Sequence, residues 1–412
     1  AYTGVTTLTS GTLEVTSLAN GGTSTTAAAV VALGSSQLQL ASVSGLTVGQ
    51  TITASGIAAG TTITAIDTGT NTITLSTATI GAIASGATTI TGTANSLGLA
   101  TSAASNLILG AGSTFKYTGS GSSTDRLFKL SGGNSAVFTL DASGTGALAF
   151  TNTAAIEHAN NNVSRTVTLT GTNTDSNTIA SVITNSGTGL TGVNKTGAGK
   201  WVLSGANTFS GTTTVNAGTL IVGNSVSSAY NSAITVNAGT LGGLGNSSKN
   251  VTVGNGLDGN DAFISPGDGG IGTFATTGSM SLLADAVFRF ELRGNGTPAA
   301  DVLQASSVAI NSSALFSFTL LGDMSGLVVG QTFTIINNAG VSDISGGFSN
   351  LTAGGIYNAG SGLTFSVSGG AGSYGNDLVL TVATVPEPGT VTLMTLAGLS
   401  VVLLRRRKNS AA

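Results

Sequence analysis

The sequence predicts an all-β protein, mainly a right-handed parallel β-helix, and three observations carry this prediction. Only 7% of the 412 residues are charged, 40% are hydrophobic and 62 are Gly, which favours strands and tight turns over helices. Short alternating strands separated by Gly or Asn turns recur along the chain. The heptapeptide "TVNAGTL" occurs twice, at Thr214–Leu220 and again at Thr235–Leu241.

The offset between the two copies, about 21 residues, is typical of one coil of a parallel β-solenoid, in which short strands are joined by tight corners. Alternation along each strand sends Val, Leu, Ile and Phe inward and Thr, Ser and Asn outward. Since one coil cannot bury its own apolar face, stability comes from stacking, and if most of the body is coiled we expect roughly 14 to 18 coils spaced about 4.8 Å apart. A series of antiparallel β-sandwiches shares this composition and is the alternative fold.

The chain divides into three parts by the character of its sequence. The sequence of residues 1–100 predicts either a small N-terminal β module or the first solenoid coils, and that of residues 101–384 predicts the solenoid itself. Residues 385–412 form a separate C-terminal segment. The chain begins Ala1-Tyr2 rather than with Met, which fits either a removed signal peptide or a fragment.

Charge and cysteine content exclude several function classes. Four of the 13 Lys and Arg residues are adjacent at 405–408, so the rest of the chain has nine cations against 16 acids, or a net charge of −7. Such an acidic body without a basic patch predicts no nucleic-acid partner. There is no Cys, which excludes disulfides, thiolate metal sites and a cysteine nucleophile.

No pattern predicts catalysis, a cofactor or a metal. His158 is the only histidine, and "GLDGNDAF" at Gly256–Phe263 has the residues of an ordinary turn without a full calcium-loop pattern. We therefore expect no enzyme activity. A polysaccharide lyase or glycosidase on a β-helix stays an alternative, because stacking could bring distant acids together. These acids are Glu14, Asp67, Asp141, Asp175 and Glu291.

One segment carries a family resemblance. "GAGKWVLSGANTFSGTTTVNAGTLIVGNS", at Gly197–Ser225, closely resembles the autotransporter-associated β-strand repeat, which implies the β-helical passenger of a surface protein. Trp201 holds the aromatic position of that motif, where it is either a packed structural residue or a carbohydrate contact. Val43–Ala78 resembles a short β module of large bacterial surface and appendage proteins.

The C-terminal segment has three parts in order. Pro386, Glu387 and Pro388 come first, sixteen uncharged residues follow at 389–404, and Arg405, Arg406, Arg407 and Lys408 come last. As a helix the uncharged run would be about 24 Å long, enough to enter a bilayer as a short hydrophobic helix and anchor the chain. The cations are membrane-stop residues expected to stay cytoplasmic, which places the body outside the inner membrane.

This arrangement closely resembles the PEP-CTERM sorting signal. The resemblance implies handling by an exosortase-like transpeptidase of a Gram-negative bacterium, with transient anchoring in the inner membrane and delivery to the cell surface or extracellular matrix. We therefore expect a structural protein with a display, adhesion or assembly role, and extracellular polysaccharide or copies of itself as partners. A carbohydrate-binding adhesin is the alternative.

Overall fold

The computed structural model describes residues 5–18, 24–43, 46, 48, 52–86, 89–92, 97, 102–223, 229–257, 259–369 and 373–386. Within these ranges the chain has 39 strands and a single 3₁₀ turn at Ala104–Asn106, so the protein is all-β with almost no helix. The C-terminal helix expected after residue 388 lies outside the described residues.

The first strands fall into two groups, two strands that join the parallel stack and an antiparallel set. The two stacked strands are β1 (Thr6–Leu8), which pairs with residues 107–109, and β2 (Gly11–Val15), which pairs with residues 113–117. The antiparallel set is β3 (Ser24–Thr26), β4 (Gln37–Gln39), β5 (Ile52–Thr53), β6 (Ile63–Asp67), β7 (Thr72–Leu75) and β8 (Thr89–Gly92).

The following strands form the long stacked part of the chain. They are β9 (Leu107–Gly110), β10 (Ser113–Tyr117), β11 (Ser120–Thr124), β12 (Lys129–Ser131), β13 (Ala136–Ala142), β14 (Gly146–Phe150), β15 (Glu157–His158), β16 (Arg165–Thr170), β17 (Asn177–Ile179), β18 (Thr191–Lys195), β19 (Lys200–Leu203), β20 (Thr213–Val215), β21 (Thr219–Val222), β22 (Ala229–Tyr230), β23 (Ile234–Val236), β24 (Gly239–Gly243), β25 (Asn246–Ser247), β26 (Val251–Val253), β27 (Ala262–Pro266), β28 (Thr273–Thr276), β29 (Ser279–Leu282), β30 (Ala286–Arg293), β31 (Ala299–Ala300), β32 (Val302–Ala305), β33 (Ser307–Ile310), β34 (Leu315–Leu321), β35 (Thr332–Asn338) and β36 (Ser345–Gly346). The last three strands are β37 (Ile356–Gly360), β38 (Leu363–Val367) and β39 (Leu378–Thr384).

Successive strands rotate among three faces. Face A is an 11-stranded parallel sheet in the order β2-β10-β13-β16-β18-β20-β23-β26-β29-β33-β36. Face B follows β11-β14-β17-β19-β21-β24-β27-β30, with β34 continuing it in parallel and the short β31 added antiparallel. Face C comprises two sheets, β1-β9-β12-β15 and β22-β25-β28-β32-β35. These long parallel sheets are consistent with the predicted β-solenoid.

The sequence repeat corresponds to one coil of this stack. Thr214 pairs with Thr235 on face A, and Leu220 pairs with Leu241 on face B, so the two "TVNAGTL" copies lie directly above one another. Other coils differ in length, since the coil from Val251 to Met280 is much longer than the coil from Ile234 to Val251.

Among the residues that the structure describes, the number of coils is smaller than expected. Face A is an 11-stranded sheet, whereas the repeat predicts roughly 14 to 18 coils. Many coils are longer than the repeat, and part of the N-terminal third is not stacked. The same length of chain therefore forms fewer coils.

The antiparallel set β3–β8 stands between two neighbouring coils in the sequence. The strands β1 and β2 pair in parallel with β9 and β10, so the first coil stacks directly on residues 107–117. Between them, two three-stranded antiparallel sheets, β3-β8-β5 and β4-β7-β6, enclose a separate hydrophobic core. Leu38, Ile52 and Ile73 are its fully buried members. The N-terminal part of the chain therefore holds one coil followed by a small antiparallel unit.

The stack has one continuous apolar core and ends in an antiparallel meander. The inward column of face B runs in register through Trp201, Leu220, Leu241, Ile264 and Phe288. At the C-terminal end, β39 pairs antiparallel with β35, and β38 and β37 extend the same sheet. This meander terminates face C and leads directly into the C-terminal segment.

Candidate functional site

One column of outward side chains on face A forms an unbroken polar ladder. Each member pairs in register with the next, one strand further along the stack. Neighbouring strands of a sheet lie about 4.8 Å apart, so the side chains repeat at that interval. The polar ladder consists of Thr12, Thr114, Thr139, Thr168, Asn194, Thr214, Thr235, Thr252 and Ser281.

Alternation along each strand explains why these side chains face solvent. On β20 and β23, for example, Val215 and Val236 point into the core and are fully buried, while Thr214 and Thr235 are half-buried on the outer surface. Between β16 and β29 the outward positions of face A carry no charge, in the part of the chain that the structure describes. The face therefore offers neutral donors and acceptors at regular spacing.

A second polar column lies beside the ladder at the corner after the face A strands. The side-chain amide of Asn216 donates to Oδ1 of Asn194 at 2.8 Å, and that of Asn237 donates to Oδ1 of Asn216 at 2.8 Å. Asn255 continues the column by donating to the Asn237 carbonyl at 3.1 Å. Because each amide bonds to the previous coil, this column fixes the corners that hold the ladder in register.

Charged groups on face A cluster towards its N-terminal end. Lys116 donates to Glu14 at 3.0 Å, and Thr118 also bonds to that carboxylate. These hydrogen bonds and the Lys116 charge lower the pKa of Glu14. The pair is exposed, so it contributes little to stability.

Trp201 lies in the core, which corrects the hypothesis of a carbohydrate contact at this residue. Its side chain is 0% exposed, and its indole Nε1–H donates to the Thr170 carbonyl at 2.8 Å. A ring without accessible surface cannot stack on a sugar. The motif tryptophan is therefore a packed structural residue that also satisfies a backbone carbonyl of a neighbouring coil.

His158 is half-buried and belongs to a polar cluster with the buried Arg165. A guanidinium can only donate, so its 3.0 Å contact with Nδ1 makes that ring nitrogen an acceptor. The Nε2–H then donates to the Thr184 carbonyl at 3.1 Å. Burial lowers the pKa of His158, and the Arg165 charge lowers it further. Both ring nitrogens are thus engaged within the fold.

Asp301 bonds to the backbone of another acidic residue, Glu291, where face B approaches its C-terminal end. Asp301 is fully buried and accepts the backbone N–H groups of Gly272 and Glu291, each at 2.8 Å. Burial raises the pKa of Asp301 to about 7 in spite of these hydrogen bonds, and burial also raises the pKa of Glu291. Asp301 thereby ties the turn before β28 to β30.

The other predicted features divide between described and undescribed residues. Among the residues the structure describes, no group of three or more His, Asp or Glu side chains is placed to hold a metal ion. Asp258, one acid of the "GLDGNDAF" turn, lies outside them. So do Glu387, Pro388 and the cations Arg405, Arg406, Arg407 and Lys408. No helix in the described part of the chain is long and apolar enough to cross a membrane.

Of the three residues Pro386, Glu387 and Pro388, the structure describes Pro386. It follows β39 by two positions and packs against Gly362, where an added Cβ would lie 2.9 Å from its Cγ. The Thr384 hydroxyl donates to the Gly362 carbonyl at 2.9 Å. The motif therefore starts directly at the folded end of the stack.

Comparisons with known proteins agree with two of the three resemblances found in the sequence, the autotransporter-associated repeat and the sorting signal. Residues 193–222, which cover β18 to β21 on faces A and B, match the family described as Passenger-associated-transport-repeat. Residues 384–408 match the PEP-CTERM protein-sorting motif. The chain is also similar to the adhesin BmaC autotransporter of Brucella suis biovar 1 (strain 1330), with 47% identity over 119 residues.

That similarity spans 29% of this chain and 3% of the length of the adhesin. The sorting motif and the adhesin relative suggest export towards the cell surface. The chain thus carries an autotransporter-associated repeat within its stacked sheets and a PEP-CTERM sorting motif that begins at the last residue of β39.

Proposed function

We propose that this chain is a secreted structural protein of the bacterial cell surface or extracellular matrix, sorted by an exosortase-type system. Its stack is a right-handed β-helix without enzymatic activity, and the run at 389–404 forms a short helix that anchors the chain transiently in the inner membrane. The observation that carries the proposal is the match to the sorting motif at residues 384–408, which begins where β39 ends.

The folded body supplies display and adhesion. The polar ladder supports this role, because its neutral side chains repeat at the spacing of the coils and can make many weak hydrogen bonds to one extended, hydroxyl-rich partner. Extracellular polysaccharide is such a partner. The similarity to an adhesin supports the same role.

Sorting is tested by changing the motif while leaving the folded body intact. Replacing Pro386, Glu387 and Pro388 together by Ala is expected to block cleavage, so the protein keeps its C-terminus and accumulates in the membrane fraction. Fractionation of the producing cells with mass spectrometry of the C-terminal peptide measures this result. Pro298→Ala is the matched control, because it removes a proline from a loop before the meander. Normal release of the triple variant would contradict sorting through this motif.

Adhesion is tested by removing hydroxyls from the polar ladder without changing side-chain shape. Thr214→Val combined with Thr235→Val deletes two adjacent ladder hydroxyls and keeps the β-branched form that strands favour. Each lost hydrogen bond is worth about 0.5–1.5 kcal/mol, so binding to extracellular polysaccharide isolated from the producing bacterium should weaken by roughly fivefold or more.

The matched control for adhesion is the pair Thr219→Val and Thr240→Val. These threonines lie on face B of the same two coils and pair with each other in register. We expect the control pair to bind polysaccharide as the unchanged protein does. Equal loss of binding in both pairs would show that the polar ladder has no special part in adhesion.

A further inference from the structure

An exposed apolar turn lies at the end of the stack from which the C-terminal segment leaves. The turn joins β34 to β35 and carries Val328 and Val329, which are 65% and 67% exposed. The Gly330 N–H donates to the Val382 carbonyl, and the Val382 N–H donates to the Gln331 carbonyl, each at 2.8 Å. The turn is therefore fixed beside the last residues of β39.

The antiparallel pairing of β35 and β39 sets the direction of this turn. Thr332 pairs with Thr381, so the residues that precede β35 and those that follow β39 lie at the same end of the sheet. Val341, which is fully exposed, follows the opposite end of β35. The two valines of the turn and Pro386 therefore share one end of the meander, and Val341 does not.

Chain length brings this end close to a bilayer. Pro386 is packed against Gly362, and only three steps along the chain separate it from Gly389, where the uncharged run begins. Such a short stretch spans at most about 11 Å. The polar zone on each side of the hydrocarbon core is about 5–8 Å thick, so an inserted tail holds Pro386 at or near the lipid headgroups.

The charge of residues 295–384, which form the C-terminal end of the stack, indicates how this end would contact the lipid. Residues 295–384 contain no Lys or Arg, so attraction to anionic headgroups does not contribute. Exposed valines can instead enter the boundary between headgroups and acyl chains, where apolar surface leaves water.

We propose that the Val328–Val329 turn contacts the surface of the bilayer while the chain is anchored, so that the C-terminal end of the stack rests on the lipid during sorting. This inference rests on the proposed anchoring of residues 389–404. It adds a second contact, made by the folded body itself, which orients the stack and brings the cleavage motif to the membrane surface.

Single cysteines test this contact cleanly, because the chain has no Cys of its own. The full chain is prepared as Val329→Cys and, as the matched control, as Val341→Cys, and each is labelled with an environment-sensitive fluorophore. Both are reconstituted into phosphatidylcholine vesicles that contain a nitroxide-labelled lipid. At position 329 we expect emission at shorter wavelength and several-fold stronger quenching by the nitroxide lipid than at position 341.

Two outcomes would overturn the inference, and they are distinguishable. If the labelled chain floats with the vesicles but positions 329 and 341 give the same emission and quenching, anchoring stands and the lipid contact of the turn is wrong. If the chain does not float with the vesicles, the proposed anchoring fails and this inference fails with it.

Discussion

Replacing Gly239 by Ala is expected to disrupt stacking at the centre of the repeat. Gly239 has φ +85°, and an added Cβ would lie 2.5 Å from the Gly218 carbonyl oxygen of the previous coil. The backbone conformation costs about 1–2 kcal/mol for a residue with a Cβ, and the steric overlap adds about 1–3 kcal/mol. Urea unfolding followed by circular dichroism should show a loss in the free energy of unfolding close to that sum.

A substitution at a second glycine separates the conformational cost from the steric cost. Gly112 has a similar φ of +72°, but an added Cβ there would meet no atom within 4 Å. Gly112→Ala should therefore show only the conformational loss. Equal destabilisation by the two substitutions would contradict close contact between the coils at Gly239.

Trp201→Ala is expected to lower the free energy of unfolding by about 3–5 kcal/mol, as deletion of a buried aromatic ring does. The ring fills the inward column of face B, and its N–H bonds to the Thr170 carbonyl. Trp201→Phe should lose less, since it keeps most of the apolar volume. Since Trp201 is the single tryptophan, tryptophan fluorescence of the folded protein at short wavelength reports the burial of this side chain directly.

The same substitution distinguishes a core residue from a ligand contact. If Trp201 is a core residue, Trp201→Ala has reduced stability. The variant molecules that stay folded then still bind polysaccharide. Unchanged stability together with lost polysaccharide binding would restore the carbohydrate-contact hypothesis and contradict the buried position.

The repeat made much of the stack predictable. Because "TVNAGTL" recurs at the spacing of one coil, the pairing of Thr214 with Thr235 and the inward direction of Leu220 and Leu241 follow from stacking alone. Asn216 and Asn237 occupy the same repeat position, so their amide column could also have been found from that signal. The family motif likewise offered burial as one of the two alternatives for Trp201.

Features that depend on contacts between unlike coils could not be predicted. The residues of β7 alternate between Thr and an aliphatic side chain much as in the stacked strands, so the sequence does not reveal that β6 and β7 pair antiparallel. The burial of Asp301 depends on which turn stacks above it. Lys195 is fully buried with its ammonium donating to three backbone carbonyls, and burial lowers its pKa to about 8. No local pattern marks such a lysine.

The lengths of the individual coils could not be predicted either. Loops at the corners add residues without changing strand register, so the short coil that ends at Val251 and the long one that follows it stack equally well on face A. A single clear repeat therefore predicts the architecture but overestimates the number of coils. The polar ladder depends on register through all of these unequal coils, and it became visible only in the structure.

The central claim is that the chain is exported and processed at its C-terminal motif. The most direct measurement is mass spectrometry of the C-terminal peptide of the native protein, taken from separated cytosolic, membrane and surface fractions. We predict a surface or matrix protein that ends near Pro386–Pro388 and lacks the apolar run and the cations. A cytosolic protein that still ends at Ala412 would contradict the account.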